Sequence, residues 1–403
     1  MADEVLKFDK IFAIVTTAMR LNWSHPNIAR DRIWYYFYSI NVAINLGCFG
    51  LLIYSIIFYE IPERRMDDAF RIINMLCIII TVNFKYFLLT YYQKELKVLI
   101  DKVDEDYDLS QGFSSAERAV VYKHAMKGLK ACRMWSVAAI CTSVFFPVKA
   151  IFTMLDSWRQ GDFHYVPIFE INLPPFLQDH KQDHIIFWGL FLICSAFDMF
   201  AILLYLAFDS LVPIFLSHNG GQLEICSSRI MMVFSQTTNE EEILINLKKL
   251  IRKMQDVYRF VDSLNDFSLL QGLKQGYVNV EFLIFLVADI IFFYLTCSHM
   301  GFSGFITYPR LLPTFTISSV SFIKVPSYCT WYYKIITLLQ SELLRQAIYS
   351  CGWEGHPSTR VRQLVLMMLT RSSRPIVFRT LIYPLCLDTF AEVNRIRIFY
   401  ATK

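Results

Sequence analysis

Residues 185–216 read IIFWGLFLICSAFDMFAILLYLAFDSLVPIFL, and their only charged side chains are Asp198 and Asp209. As a helix this stretch would run about 48 Å, well beyond the roughly 30 Å of a bilayer's hydrocarbon core. It is therefore expected to cross a membrane and either to tilt strongly or to continue beyond it as a helix. A carboxylate at bilayer depth is costly, so Asp198 is expected to face other helices or water.

Further apolar runs lie near 35–59, 69–93, 131–155, 278–300, 312–340 and 380–400. The whole chain is 55% hydrophobic and only 18% charged, whereas a soluble domain carries about a quarter charged residues. Backbone in lipid must satisfy its own hydrogen bonds, and runs of this length do so as helices. The expected fold is an all-α polytopic membrane protein with seven transmembrane helices.

Basic residues assign the sides. They crowd the N-terminal segment (Lys7, Lys10, Arg20, Arg30, Arg32), the second connection (Lys94 to Lys130), the fourth (Arg229 to Lys274) and the last (Arg345 to Arg379). The intervening loops hold few: Arg64 and Arg65, Arg159 and Lys181, and Arg310. Positive-inside asymmetry then predicts a cytosolic N-terminus, and seven crossings an extracellular C-terminus, the reverse of a G-protein-coupled receptor. The chain divides into a cytosolic N-terminal segment (1–34), the first four spans (35–216), cytosolic helices (217–277), spans five and six (278–344), a cytosolic loop with a short helix (345–379) and the final helix (380–403). Residues 1–34 are too polar for a cleavable signal sequence, and none is expected.

Local patterns fill in this frame. Phe8, Ile11, Phe12 and Val15 recur at helical spacing, which predicts a helix along the inner membrane surface. Asp101, Asp104, Glu105, Asp106 and Asp108 form an acidic run whose spacing fits a solvated helix face rather than a calcium loop. Pro147 and Lys149 interrupt the third span, and the loop 156–184 is rich in aromatics and proline, able to fold over the mouth of the bundle. Residues 243–262 carry an apolar stripe including Leu247, Leu250 and Met254, which must cover neighbouring helices or another subunit. The final segment bears Asp388, Glu392, Arg395 and Arg397, charges that a helix lining a wet pore can carry and a lipid-bathed one cannot.

No catalytic constellation, phosphate loop or metal-ligand spacing appears, so no enzyme activity, cofactor or metal is expected. The ten cysteines lie in apolar segments or cytosolic loops and suggest no disulfide framework. His180 and His184 share helical spacing but read as interfacial polar residues. The sequon Asn22-Trp23-Ser24 falls on the cytosolic side and should be unused. Basic residues are too dispersed for nucleic-acid binding. What remains is an aromatic bundle. Phe70, Phe145, Phe146, Phe152, Phe187 and Phe191 lie where the outer halves of the helices should meet, and are the expected lining of a pocket for small apolar ligands.

Four motifs carry a resemblance: His218-Asn219-Gly220-Gly221-Gln222-Leu223-Glu224, Ala347-Ile348-Tyr349-Ser350-Cys351-Gly352-Trp353, the stretch Met367 to Pro375, and Tyr383-Pro384-Leu385-Cys386-Leu387-Asp388-Thr389-Phe390. In this order they resemble the insect odorant receptors, a seven-transmembrane channel family. The resemblance covers the last 190 residues in motif, and the rest in helix layout and charge sidedness. It implies an odorant-gated, non-selective cation channel in the membrane of an olfactory sensory neuron. It also implies a tuning subunit that assembles with a shared coreceptor, as a tetramer, and takes volatile ligands within the membrane. Residues 217–277 and 345–379 would form an anchor between subunits, through Leu247, Leu250, Met254, Tyr349, Trp353 and Leu366. The final helix would line the pore with Leu387, Phe390, Val393 and Asn394. Arg395 and Arg397 depart from the family's apolar ending and would raise a barrier to cations in a narrow pore. A metabotropic seven-helix receptor and a membrane transporter are the competing classes.

Overall fold

The computed structural model describes residues 6–63, 66–169, 171–236, 239–267, 337 and 339–373. All regular structure among them is helical. The fifth span (278–300), most of the sixth and the final helix, with Leu387, Phe390, Val393 and Asn394, lie outside the described residues.

Two short helices, α1 (Phe8–Ile11) and α2 (Ala13–Leu21), open the chain. Helix α3 (Arg32–Ser55) starts where the Asp31 carboxylate accepts the Trp34 N–H at 2.8 Å, and it ends in a π-helical turn, Ile56–Glu60. Helix α4 (Met66–Tyr91) returns beside it, and Asn83 Nδ2 donates to Asn45 Oδ1 across the pair at 3.1 Å. Such a bond between polar side chains ties helices together where lipid offers no hydrophobic drive.

Helix α5 (Gln93–Ser110) is followed by α6 (Ser115–Arg159), a single helix of 45 residues that continues through Pro147. A capping box between Ser114 and Glu117 starts α6. After the short α7 (Pro175–Gln178) come α8 (His184–Asp209) and α9 (Leu211–Gln236), broken only at Ser210. The long apolar stretch is thus helical apart from the break at Ser210 and runs on into α9. Helix α10 is Glu240–Phe267, α11 spans 339–350, and α12 is Thr359–Ser372. Gly352, at φ 86°, adopts the left-handed backbone that only glycine takes without strain and turns the chain away from α11.

Three described stretches are long and apolar enough to cross a membrane: Arg32–Glu60, Ser115–Arg159 and His184–Gln236. Their outward side chains, Leu46, Phe58, Ile140, Phe152 and Leu192 among them, remain exposed, as lipid-facing residues would. Beyond them α6 packs along α9, and α10 covers the other side of α9.

Two expectations change. Phe8, Phe12 and Val15 are fully buried rather than laid against a membrane: Phe8 stacks on Phe215 of α9, and its N–H donates to Asp104 at 2.7 Å. Amphipathic periodicity reveals that a face is covered, not what covers it. The acidic run is not simply solvated either. Asp104 receives Phe8, Asp108 pairs with Lys7 at 2.8 Å, and Asp106 is buried. These carboxylates dock the N-terminal segment and the helices α9 and α10. The sequon is shut away too. Asn22 and Ser24 are buried, and Ser24 Oγ donates to Asn22 Oδ1.

Candidate ligand pocket

A cavity of about 490 Å³ opens among α3, α4, α6, α8 and the loop that precedes α7. That is the size of a site for a small organic ligand. Its lining on α8 includes Phe187, Phe191, Cys194, Asp198, Ala201 and Tyr205, steps of three and four residues that form one stripe about five turns long. Helix α3 contributes Cys48 and Leu52, α4 Met75 and Ile79, and α6 Ser143 and Phe146.

The loop forms a wall of the cavity through Tyr165, Phe169 and their neighbours. It is pinned at both ends. Asn172 N donates to Ser55 Oγ at 3.1 Å and Asn172 Nδ2 to Glu60 Oε1 at 2.7 Å, which fixes one end to α3. Gln182 brackets the other by accepting Tyr165 N at 2.9 Å and donating to Tyr165 O at 3.2 Å. The Tyr165 ring stacks on Phe187 at 4.5 Å, and Phe169 lies 5.8 Å from Phe146. The loop is thus built into the aromatic wall.

Of the six expected pocket phenylalanines, Phe146, Phe187 and Phe191 line the cavity. Phe145 is half-buried and sits edge-on to Phe146, outside the lining, and Phe152 is 67% exposed on the outer face of α6. The side chain of Phe70 lies outside the described residues. Asp198, Cys194 and Tyr205 were missed, although the stripe beginning at Phe187 marks them by helical phase.

The far end of the stripe meets a buried ion pair. Lys85 Nζ of α4 stands 4.1 Å from the centroid of the Tyr205 ring and 2.8 and 2.9 Å from the carboxylate oxygens of Asp209. Asp209 is the last residue of α8, immediately before the break to α9. The cavity, the ion pair and the start of α9 are consecutive.

Past the apolar run, α9 carries His218-Asn219-Gly220-Gly221-Gln222-Leu223-Glu224, of which all but Glu224 are buried. His218 Nε2 donates to Asp106 Oδ2 at 3.1 Å, and Lys253 Nζ of α10 reaches Asp106 Oδ1 at 2.6 Å. Burial pushes the Asp106 carboxyl up, but the His218 hydrogen bond and the Lys253 charge outweigh it and hold it at about 2. The two glycines let α9 approach His124 of α6: a Cβ at Gly221 would stand 3.1 Å from His124 Cβ. The His124 ring in turn hydrogen-bonds Glu224 at 2.7 Å, and burial lowers its pKa.

The anchor residues divide. Leu247, Leu250 and Met254 are buried within the chain itself, and the α10 stripe is covered by α5, α9 and α12. Trp353 is half-buried, while Tyr349 and Leu366 are 64% and 49% exposed. Among the described residues no cluster of histidine, cysteine or carboxylate side chains could hold a metal ion, and the six cysteines whose side chains are described form no disulfide.

A polytopic helical membrane protein with a mostly apolar cavity between its helices has the build of a receptor for small hydrophobic ligands. The chain belongs to the 7tm odorant receptor family, whose model matches residues 65–397. It is a multi-pass chemoreceptor of the ion-channel type that responds to small volatile ligands. The fold is similar to that of the insect olfactory receptor OR5 from Machilis hrabei, at a TM-score of 0.69 and 12% identity, covering 97% of this chain and 95% of that one. The structure of the same receptor in complex with eugenol is similar at a TM-score of 0.71 and 10% identity, covering 97% and 96%. No curated protein matches the sequence.

Proposed function

We propose that this chain is the odorant-tuning subunit of a hetero-oligomeric, odorant-gated, non-selective cation channel. Its partner is the shared coreceptor subunit, and the assembly is a tetramer in the plasma membrane of olfactory sensory neurons. The observation that carries the reading is the cavity of about 490 Å³, walled by Phe146, Phe187, Phe191 and Tyr165. It is shaped for a volatile molecule and lies between helices long enough to cross the membrane.

In this reading seven spans place the N-terminus in the cytosol and the C-terminus outside. Ligand binds the cavity and favours the open channel by its differential affinity for that state. The final helix, with Leu387, Phe390, Val393 and Asn394, lines the pore. The cytosolic helices form the anchor, and the exposed Tyr349 and Leu366 offer apolar surface to a neighbouring subunit. Leu247, Leu250 and Met254, buried within the chain, and the half-buried Trp353 belong to the same helical anchor.

Whole-cell current tests the proposal, in cells expressing the chain with and without an insect coreceptor, across a panel of volatiles. Odour-evoked cation current confined to the paired cells is the expected result. Responses that depend on a cytosolic G protein, or on the chain alone, would overturn it.

A further inference from the structure

Asp198 is the chemical exception in the cavity wall. It lies on the α8 stripe one turn beyond Cys194, and the lining it shares on the facing helices includes Cys48, Leu52, Met75, Ile79 and Ser143. The Ser143 hydroxyl of α6, also in the cavity lining, faces its carboxyl group. Among the described residues no cation pairs with it. Lys181, which also touches the cavity, precedes α8, roughly 20 Å of helix rise away from Asp198. Lys85, the cation nearest the far end of the stripe, is already engaged by Asp209.

A carboxyl group has about four lone-pair positions, and the hydroxyl that faces it among the described residues can fill at most one. In either protonation state an acceptor oxygen remains turned to an apolar space. A ligand without a donor leaves that oxygen desolvated and unpaired, a cost comparable to a full hydrogen bond. A ligand that brings an O–H or N–H satisfies it. Sites built around such a polar group reject analogues that lack the matching one far more strongly than they resolve a methylene.

Resting on the ligand-pocket reading above, we infer that Asp198 is a specificity-determining residue that selects small volatiles carrying a hydrogen-bond donor, a hydroxyl or an amine, over ethers and esters of the same shape. The aromatic wall takes the apolar body, and Asp198 with Ser143 takes the head group.

The test uses benzyl alcohol, its isomer anisole, and benzylamine. Currents are recorded from the full chain paired with the coreceptor. Thermal unfolding of the detergent-solubilised full chain gives a second readout that does not need an open pore. Benzyl alcohol is expected to act at a concentration about tenfold below anisole and to raise the melting temperature more. Asp198→Asn, nearly isosteric and able to donate to an ether oxygen, should bring the two within about threefold. Its melting temperature without ligand shows whether it folds. Benzylamine, also a donor, is expected to share the advantage of benzyl alcohol; ranking with anisole would overturn the inference for amines. Equal potency of benzyl alcohol and anisole in the native chain, or an unchanged preference in a folded Asp198→Asn variant, would overturn the inference while leaving the pocket in place. Absence of both current and thermal stabilisation with all three compounds would overturn the pocket reading itself.

Discussion

Lys85 and Asp209 form an ion pair between the middle of the bundle and the last residue of α8, with Nζ 2.8 and 2.9 Å from the two carboxylate oxygens. Both side chains are largely buried, and the same ammonium sits over the Tyr205 ring that ends the cavity lining. Through Lys85, Tyr205 is thereby linked to Asp209, the residue before the junction at Ser210 where α8 gives way to α9. From there α9 runs into the Asp106 and His124 clusters. The arrangement offers a contiguous physical route from the pocket to the helices packed around α9.

Removing one partner of this pair should be worse than removing both. Lys85→Met leaves the Asp209 carboxylate without its counter-charge, at a cost of about 3 kcal/mol, and Asp209→Leu strands the lysine in the same way. The double variant replaces both charges by apolar groups and should recover much of that loss. Thermal unfolding of the four proteins in detergent measures the cycle. Additive losses in the double variant would show that the pair is not an energetic unit.

Neighbouring glycines should answer alanine in opposite ways. A Cβ at Gly221 would stand 3.1 Å from His124 Cβ and Cγ, atoms close to the α6 backbone that cannot swing aside. Gly221→Ala should therefore force α6 and α9 apart and destabilise by about 1–3 kcal/mol. At Gly220 the nearest atom is 3.5 Å away, ordinary van der Waals contact. There alanine should be neutral or stabilise by up to about 1 kcal/mol through helix propensity. Melting temperatures of the two variants check the contrast.

How far the sequence could be read depended on which physical signal each element used. Apolar length marked α3, α4 and α8 within a few residues, because nothing but a helix buries such runs in lipid. Within the pocket, choosing residues by aromatic type found Phe187 and Phe191, which share the inner stripe of α8, but also took Phe152, which points outward. Helical phase would have separated them and would have added Asp198 and Tyr205. The wall made by Tyr165 and Phe169 rests on Asn172 and Gln182 reaching partners on other segments, contacts that no local pattern encodes. The acidic run looked like a solvated face because its partners Phe8, His218 and Lys253 are remote in the chain.

Asp106 should make the protein acid-labile in a defined window. Its folded pKa, about 2, lies below the ordinary carboxylate value, so the folded state binds the proton less readily than the unfolded chain. The resulting stabilisation is fully present above about pH 4 and is lost as pH falls toward 2, and it amounts to about 2 kcal/mol. Asp106→Asn removes the contribution at neutral pH and should flatten the stability profile between those limits. Urea unfolding at a series of pH values reads this directly. Parallel profiles for the two proteins would assign the acid sensitivity to other groups.

Phe191 and Phe152 provide the sharpest test of the pocket, because sequence treats them alike and structure does not. Phe191 lines the cavity between Phe187 and Cys194, so Phe191→Ala removes ring contacts with the ligand and enlarges the space that must be filled. Loss of that burial is worth about 2 kcal/mol and should raise the half-maximal ligand concentration at least tenfold. Phe152, 67% exposed on the far side of α6, makes no such contact. Phe152→Ala should leave the concentration dependence within about twofold of the native chain, a change of less than about 0.5 kcal/mol. Dose–response currents in coreceptor-expressing cells, normalised to surface expression, distinguish the two. Equal effects at both positions would mean that ligand acts elsewhere than in this cavity.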